Sequence, residues 1–275
     1  MSKTNLLVAL KNIIQNPVVD LNSKSVSLNR INSVGEGLEV YIKNAFCGTF
    51  NLEDEIQKQE IFSTNFSYLG NQNNPPDIII RNGDAIEVKK LESQNSAIAL
   101  NSSYPKDKLY FHSPMITEAC RNCEEWKEKD LLYSVGVASN TILKSLWFVY
   151  GDCYAAVSDL YNKKRESIED DLSFIKNSIK YCIFNKIDNL AITSLDSNQN
   201  WFIKSLQEVF NYLENIDKFD INCIIPLHKY LSFPVENITE VESNKKISIK
   251  NIQIKSPNNP AKLLSAKLLQ ANFSY

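Results

Sequence analysis

The chain has 275 residues, of which 43% are hydrophobic and 10% aromatic, a composition typical of a packed globular protein and not of a disordered one. Its formal net charge of −2 argues against a protein that coats nucleic acid without sequence preference, because such proteins carry a large positive excess. The same total is compatible with one local basic surface, since acidic residues elsewhere would offset it.

The first predicted element is a helix over SVGEGLEVYIKNAF, residues 33–46. Ser33 and Glu36 have the spacing of a capping box, and the apolar residues recur at helical period. Glu39 and Lys43 are expected to pair on the polar side. The following elements are predicted further along the chain: buried strands over 130–139 and 145–157, a helix over 166–184, a strand over 189–195, a helix over 201–213, a strand over 221–227, an exposed hairpin or edge pair over 245–256, and solvent-exposed segments at 160–171 and in the C-terminal tail.

The ends and the cysteines of the chain give expectations about its compartment. The N-terminal apolar run is too short for the core of a secretory signal, and no stretch approaches the apolar length that crosses a bilayer. We therefore expect a cytoplasmic protein whose six cysteines are reduced. Cys120 and Cys123 form a lone CxxC, for which a helix-packing role is favoured over zinc, since only His112 lies near it as a further ligand. The sequence contains no GxxxxGK[ST] or GxGxxG phosphate-binding motif.

The segment NPPDIIIRNGDAIEVKKLE, residues 73–91, predicts two strands joined by an Asn-Gly turn and carrying three charged side chains. With a two-residue turn, Asp77 would face away from Glu87. With a three-residue loop that ends in a left-handed Gly83, Asp77 lies directly opposite Glu87. Lys89 then shares their face, because side chains alternate along a strand. We predict the three-residue loop.

Two carboxylates that converge across neighbouring strands repel each other unless a cation lies between them, and oxygen ligands suit Mg²⁺. The backbone carbonyl of Val88 is a further candidate ligand. A bound metal would acidify a water, and Lys89 is expected to orient that water, because adjacent carboxylates oppose the low pKa that a basic lysine needs. The alternative interpretation is that Asp77 only begins a strand, while Glu87 and Lys89 form a polar edge facing solvent.

The sequences PPD (75–77) and EVK (87–89) resemble the PD-(D/E)xK motif of many type II restriction endonucleases. The segments GEGLEVYIKNAF, ALNSSYPKDKLYFHS, ACRNCEEWKEKDLLYSVG and LWFVYGDCYAA resemble those of the NgoPII-type restriction endonucleases, which cut GGCC. The resemblance covers most of residues 30–160. It implies an α/β fold with a restriction-endonuclease-like core, a mixed central β-sheet flanked by helices. Residues 1–275 would form a single domain with the catalytic core at about 30–160, while 161–275 would complete the sheet and supply candidates for DNA recognition or dimer contacts.

The resemblance also implies Mg²⁺-dependent hydrolysis of double-stranded DNA at a short palindrome by a homodimer, since a two-fold site is matched by a two-fold symmetric protein. It implies a cognate DNA methyltransferase in the same system, with no stable complex between the two enzymes. By the superfamily pattern, Asp77 and Glu87 are metal ligands and Lys89 is the catalytic lysine. Glu39 or Glu36 is a candidate additional acid, with helix capping and helix pairing as the alternative roles.

The candidates for DNA contact are cationic and aromatic residues near the motif. The stretch NSSYPKDKLYFHS follows the catalytic strand, although by itself it is simply a polar loop. Two functional alternatives stay open from the sequence: a DNA-repair or junction-resolving nuclease with the same site, and a DNA-binding module that kept the fold without catalysis. The predicted DNA-contacting residues are Lys90, Tyr104, Lys106, Lys108, Arg81 and Arg121.

Overall fold

The computed structural model describes residues 4–21, 33–71, 74–93, 96–101, 104–162, 181–183, 193–196, 201–203 and 219–273. The labelled helices are α1 (Leu6–Gln15), α2 (Ser33–Cys47), α3 (Glu55–Asn65), α4 (Glu118–Arg121), α5 (Leu227–Tyr230) and α6 (Val235–Ser243), and residues 158–162 are also helical. The strands are β1 (Phe66–Asn71), β2 (Asn74–Ile80), β3 (Ala85–Leu91), β4 (Ile98–Asn101), β5 (Lys108–Tyr110), β6 (Glu128–Ser139), β7 (Ile142–Tyr150), β8 (Tyr181–Ile183), β9 (Thr193–Asp196), β10 (Trp201–Ile203), β11 (Phe219–Pro226), β12 (Ser248–Ser256) and β13 (Asn259–Phe273).

A mixed sheet forms the centre of the described structure. Its strands lie in the order β1-β2-β3-β6-β7-β11-β13-β12, and β5 pairs with β6 at one end. The pairs β3/β6 and β7/β11 are parallel, and the other neighbours are antiparallel. A smaller antiparallel sheet has the order β4-β10-β9-β8. This mixed sheet with flanking helices confirms the predicted fold class.

Helix α2 covers the sheet next to the predicted site. Its apolar face is buried as the helical period predicts, and its Glu39 and Lys43 lie 3.8 Å apart. Leu38 packs on Gly136 of β6, where an added Cβ would lie 2.8 Å from the leucine methyl carbons. The ring of Phe46 meets Phe148 of β7 edge to face at 6.4 Å. The helix α1, which the sequence analysis did not predict, packs on α2 with its own apolar face.

The C-terminal strands correct one prediction and confirm two. Residues 219–226 form β11, and β12 is the last strand of the sheet, as predicted for residues 221–227 and 245–256. The expected exposure of the C-terminal tail is wrong. Strand β13 lies between β11 and β12, so both of its backbone edges are paired, and Leu268, Leu269 and Ala271 are buried. Its sequence lacks the strict alternation that would have revealed a strand.

Two further predictions fail near the site. The predicted strand 145–157 ends at Tyr150 and is followed by a 3₁₀ turn, Gly151–Cys153. Gly151 packs against the Lys106 carbonyl so closely that an added Cβ would lie 2.3 Å from its oxygen. Tyr161, in a segment expected to be exposed, is fully buried and stacks on Tyr104 with ring centroids 5.2 Å apart.

The segment between residues 163 and 218 is described only at three short strands. The predicted helices 166–184 and 201–213 are wrong at residues 181–183 and 201–203, which are strands that pair with β9 or β4, so strand pairing overrides the local helical pattern there. The predicted strand 189–195 agrees with β9, and the remaining residues of all three predictions lie outside the described part of the chain. None of the described helices has the length and apolar character that a membrane span requires. Five cysteines are free thiols: Cys47, Cys120, Cys123, Cys153 and Cys223.

Candidate active site

The hairpin that joins β2 and β3 has the register predicted for a three-residue loop. Ile79 pairs with Ala85, and the Ile80 N–H donates a hydrogen bond to the Asp84 carbonyl oxygen at 2.9 Å. If this register is continued by one residue, Asp77 of β2 lies opposite Glu87 of β3. The odd loop length thus brings the two acids to the same part of the hairpin.

The left-handed residue of this loop is Asn82, with φ of 54°, and the prediction that Gly83 takes this conformation is wrong. The Gly83 N–H instead donates to the Ile80 carbonyl at 2.9 Å and closes a four-residue turn with Asn82 in its third position. Asparagine tolerates positive φ better than most residues with a side chain, so the turn does not need glycine there.

Asp77 lies where the ladder between β2 and β3 stops. Its Oδ2 accepts a hydrogen bond of 2.6 Å from the Val88 N–H, so a side-chain carboxylate takes the position of a strand carbonyl. Burial, and after it the charge of Glu87, raises the pKa of Asp77 to about 7, although the Val88 hydrogen bond opposes that rise. The site therefore disfavours two bare carboxylates without a cation.

Glu87 and Lys89 form the other half of the site on β3. The Lys89 Nζ donates to Glu87 Oε1 at 2.7 Å, and the Glu87 side chain is only 12% exposed. The second oxygen, Oε2, is buried and has no hydrogen-bond partner among the described residues. Burial by itself would lower the pKa of Lys89, but the charge and hydrogen bond of Glu87, with Asp77 and Glu39, raise it above the ordinary value.

Of the two candidate acids on α2, only Glu39 has a described side chain. The charge of Glu39 raises the pKa of both Asp77 and Lys89, so this residue lies within electrostatic reach of the site. The side chain of Glu36 lies outside the described part of the structure. Glu39 also faces Lys43 one helical turn away, in agreement with the predicted helix pair.

The donor set fits a hard cation that keeps part of its water shell. Two carboxylates, one with a buried unpaired oxygen and one with a raised pKa, are the ligands that Mg²⁺ takes from protein when waters and phosphate oxygens complete its shell. Within the described residues, no group of three or more His, Cys, Asp or Glu side chains is arranged to enclose a metal. Two carboxylates that leave positions for water and phosphate oxygens match an open site, in which the Val88 carbonyl stays a predicted ligand.

A buried network missed by the sequence analysis fixes the start of β3. Lys229 of α5 donates to Asp84 Oδ1 at 2.5 Å and to Asp130 Oδ2 at 2.7 Å, while the Tyr150 hydroxyl donates to Asp84 Oδ2 at 2.7 Å. Asp84 lies three residues before Glu87, and Lys229 follows it by 145 positions. No local pattern could have revealed a contact between segments so far apart in sequence.

Both described arginines that were candidates for DNA contact bind backbone carbonyls. Arg81 donates to Ser63 O at 2.9 Å and to Phe66 O at 3.0 Å, and thereby joins the hairpin to the end of α3. Arg121 donates to Ser113 O at 2.7 Å and holds the loop after β5. These contacts give both residues a structural role, and their contact with DNA stays a prediction.

Three of the predicted DNA-contacting residues, Tyr104, Lys106 and Lys108, line a cavity of about 400 Å³. The Lys106 N–H donates to the Tyr133 hydroxyl at 3.1 Å, and the Lys106 Nζ lies 5.3 Å from the Tyr104 ring centroid. The Lys108 Nζ lies 2.6 Å from Glu128 Oε1 and 3.6 Å from Asp130 Oδ1. Lys90 follows Lys89 directly and therefore lies on the opposite face of β3. The cavity is lined by Tyr104, Lys106, Lys108, Tyr110 and His112, among others.

Comparison with known proteins places this chain in a family. The model of the NgoPII restriction endonuclease family matches residues 4–255. The type II restriction enzyme NgoPII of Neisseria gonorrhoeae is 43% identical to the chain over 275 residues, covering 96% of this chain and 98% of the relative. The comparison with solved structures gave no match. Both the matched range, which contains the whole hairpin site, and the identity show that the chain belongs to the NgoPII restriction endonuclease family.

Proposed function

We propose that this protein is a type II restriction endonuclease that hydrolyses both strands of duplex DNA at a short palindrome, with Mg²⁺ as its metal. Its family supports site-specific DNA cleavage. The observation that carries the proposal is the Glu87 carboxylate, with one oxygen bound to Lys89 and the other buried without a partner among the described residues. Buried carboxylate oxygens are normally satisfied, so an unsatisfied one beside a second acid points to a cation.

In this proposal Asp77 and Glu87 hold the metal, the Val88 carbonyl is a further ligand, and Glu39 is the additional acid. When bound there, Mg²⁺ would acidify an attacking water and offset the negative charge of the phosphate. The protein's own contribution is to hold the two carboxylates in one orientation. The Val88 N–H fixes Asp77, and Lys89 fixes Glu87, so neither side chain has to be ordered when substrate arrives.

Lys89 acts in this proposal as a cation and not as a base. Its raised pKa keeps the ammonium protonated at neutral pH, so it can orient the attacking water and stabilise the charge that develops on the phosphate. Hydrolysis adds the oxygen of one water to phosphorus and breaks one bond between phosphorus and a sugar oxygen. The water loses a proton, and the departing sugar oxygen takes one up.

The finer parts of the proposal concern the target and the assembly. A palindrome is read most simply by a two-fold symmetric homodimer, and we take GGCC as the target because four segments of the chain resemble those of the NgoPII-type enzymes. The enzyme would act in the cytoplasm, alongside a methyltransferase that protects the host sites. Contact with DNA is proposed for Lys90, Tyr104, Lys106, Lys108, Arg81 and Arg121.

Incubation of sequenced plasmid DNA with the purified chain tests the proposal. With Mg²⁺ we expect discrete fragments whose run-off sequences end within one palindrome, and with EDTA intact plasmid. The variants Glu87→Ala and Lys89→Ala should stop cutting while specific DNA binding stays measurable. Glu92→Ala, an exposed acid just beyond β3, is the matched control and should cut normally. Random or branch-dependent cutting would reject the restriction activity, and full activity of both site variants would reject the site.

A further inference from the structure

The backbone of Lys106 is bound to Tyr133 of β6, the strand that lies beside β3. Strand β6 pairs in parallel with β3 so that Tyr133 lies next to Glu87 in register. Paired residues of neighbouring strands project to the same face of a sheet. The Tyr133 hydroxyl accepts the Lys106 N–H at 3.1 Å, and it therefore brings a loop from outside the motif to the face that carries Glu87 and Lys89.

A second contact fixes the same loop from the other side. The Cα of Gly151 lies so close to this loop that a Cβ built there would be 2.3 Å from the Lys106 oxygen and 2.5 Å from that of Asp107. Any side chain at position 151 would displace the loop. The loop is thus fixed by Tyr133 at a backbone N–H and by Gly151 at two carbonyls.

The Lys106 side chain lies over the ring of Tyr104. Its Nζ lies 5.3 Å from the Tyr104 ring centroid, and Tyr104 is itself stacked on the buried Tyr161 with an interplanar angle of 11°. Two stacked rings form a rigid support, which limits the rotamers that the lysine can adopt. Lys108, two residues further on, instead has its ammonium bound to Glu128 at 2.6 Å.

The electrostatic surroundings of Lys106 are those of the active site. Burial lowers the pKa of Lys106 to about 8, the charge of Glu87 opposes that change, and the charge of Lys89 adds to it. Lys106 therefore interacts with both residues of the EVK sequence that carry charge.

We propose that Lys106 is a second lysine of the catalytic centre, whose ammonium contacts a non-bridging oxygen of the phosphate that is cut. The inference rests on the proposed nuclease function. The phosphate gains negative charge at those oxygens as water attacks, and a cation fixed in a partly buried site stabilises that charge more strongly than a mobile surface lysine would. Lys89 orients the water at one side of the phosphate, while Lys106 binds an oxygen of the phosphate itself.

The test separates cleavage from binding. Cleavage is followed in a single turnover with excess enzyme, Mg²⁺ and a duplex carrying the mapped site, and affinity is measured with Ca²⁺ in place of Mg²⁺. We expect Lys106→Met to slow cleavage about 100-fold, as the loss of one donor to a developing oxyanion does, with less than about a tenfold loss of affinity. Lys106→Arg, which keeps the charge, should recover part of the rate. Lys11→Met, which removes an exposed lysine paired with Glu240, should leave both values unchanged.

Cleavage by Lys106→Met at the wild-type rate would overturn the inference. A rate loss fully accounted for by weaker DNA binding would also overturn it, because that result is expected of a lysine that contacts a phosphate next to the one that is cut. Urea unfolding of each variant shows that it is folded, and Lys106→Gln serves the same comparison if Lys106→Met is not. Wild-type protein that cuts no DNA with Mg²⁺ would count against the nuclease function itself, which keeps the two failures distinguishable.

Discussion

Replacing Lys229 by methionine tests whether the C-terminal part of the chain stabilises the hairpin formed by β2 and β3. The Lys229 ammonium joins Asp84, at the start of β3, to Asp130 of β6, at 2.5 and 2.7 Å. The Lys229 and Asp84 side chains are only 14% and 8% exposed. Methionine keeps the length and most of the apolar stem of lysine, so the substitution removes chiefly the charge and its hydrogen bonds.

The expected loss of stability in Lys229→Met comes from the carboxylates that lose their cationic partner. Asp84 would stay buried with the Tyr150 hydroxyl as its hydrogen-bond donor, and removal of one partner from a buried ion pair costs about 3–5 kcal/mol. Asp130 is 29% exposed, and water can replace its lost partner, so we expect the lower end, about 3 kcal/mol. At about 2–4 °C per kcal/mol for a chain of this size, the Tm should fall by about 6–12 °C.

Equilibrium unfolding in urea at pH 7.5 measures the loss. The matched control is Lys11→Met, because the ion pair of Lys11 with Glu240 has the same chemistry but side chains that are 34% and 49% exposed. That variant should lose less than about 1 kcal/mol. The double variant Lys229→Met/Asp84→Asn should regain part of the stability, since it no longer buries an uncompensated carboxylate. If Lys229→Met lost no more than Lys11→Met, the network would not stabilise the hairpin.

The same network predicts a pH dependence. Burial would by itself raise the pKa of Asp130, but the charge and hydrogen bond of Lys229 lower it below its ordinary value. A carboxyl with a lowered folded pKa contributes stability above its unfolded pKa of about 3.9 and loses that contribution as pH falls through the folded value. The stability difference between wild type and Lys229→Met should therefore narrow below pH 4. A difference that stays constant down to pH 2 would contradict the assigned role.

Three shorter predictions address other parts of the molecule. Gly151→Ala should destabilise the fold by about 1–3 kcal/mol and slow cleavage, because its Cβ would displace the Lys106 loop; unfolding and single-turnover assays measure the two effects. Burial raises the pKa of Asp220 to about 6, so the unfavourable contribution of this carboxylate to stability decreases as pH falls from 7.5 toward 4. In urea unfolding, Asp220→Asn should therefore be about 1–2 kcal/mol more stable than wild type at pH 7.5, with no gain near pH 4. Ca²⁺ or Mg²⁺ at 100 times its Kd should stabilise wild type by about 2.7 kcal/mol in thermal unfolding. Calorimetry near pH 7, where Asp77 titrates, should show that binding releases protons. The variant Glu87→Gln should lose both effects.

The parts of the site that the sequence predicted are those determined by local geometry. Strand alternation and the length of one loop are enough to place Asp77, Glu87 and Lys89 in one region, and the register agrees with that prediction. The apolar period of α2 likewise predicted its buried face. Within the hairpin only the left-handed position was misassigned, since Asn82 and Gly83 can both adopt positive φ and the choice depends on the hydrogen bonds around them.

The parts that the sequence did not predict depend on contacts between distant segments. The bond from Lys229 to Asp84 and the bond from Lys106 to Tyr133 join residues 145 and 27 positions apart. Strand β13 was missed for a related reason: it is stabilised by strands on both sides, so its sequence does not need an exposed polar face in strict alternation. The motif therefore predicts the candidate reactive groups, whereas the residues that contact and position them follow only from the fold.

Asp77 has two roles that can be separated by substitution. Its carboxylate accepts the Val88 N–H where β2 leaves β3, and in the proposed mechanism it also binds the metal. Asp77→Asn keeps an acceptor for the N–H but loses the negative charge, so we expect a stable protein that does not cut DNA. Asp77→Leu also leaves the Val88 N–H unsatisfied, which costs about 1–3 kcal/mol in addition.

Urea unfolding and plasmid cleavage of the two variants distinguish these roles. Equal stability of Asp77→Asn and Asp77→Leu would show that the hydrogen bond contributes nothing to the hairpin. Cleavage by Asp77→Asn at the wild-type rate would remove Asp77 from the metal site. In the proposed site, the end of the ladder at this residue would give a divalent ion access to the edge of β3, because a strand paired on both sides offers no free carbonyls or space for a cation. Asp77 therefore both ends the pairing of β2 with β3 and supplies the first acid of the proposed site. Moving the end of the ladder or the position of this acid along β2 should abolish the site.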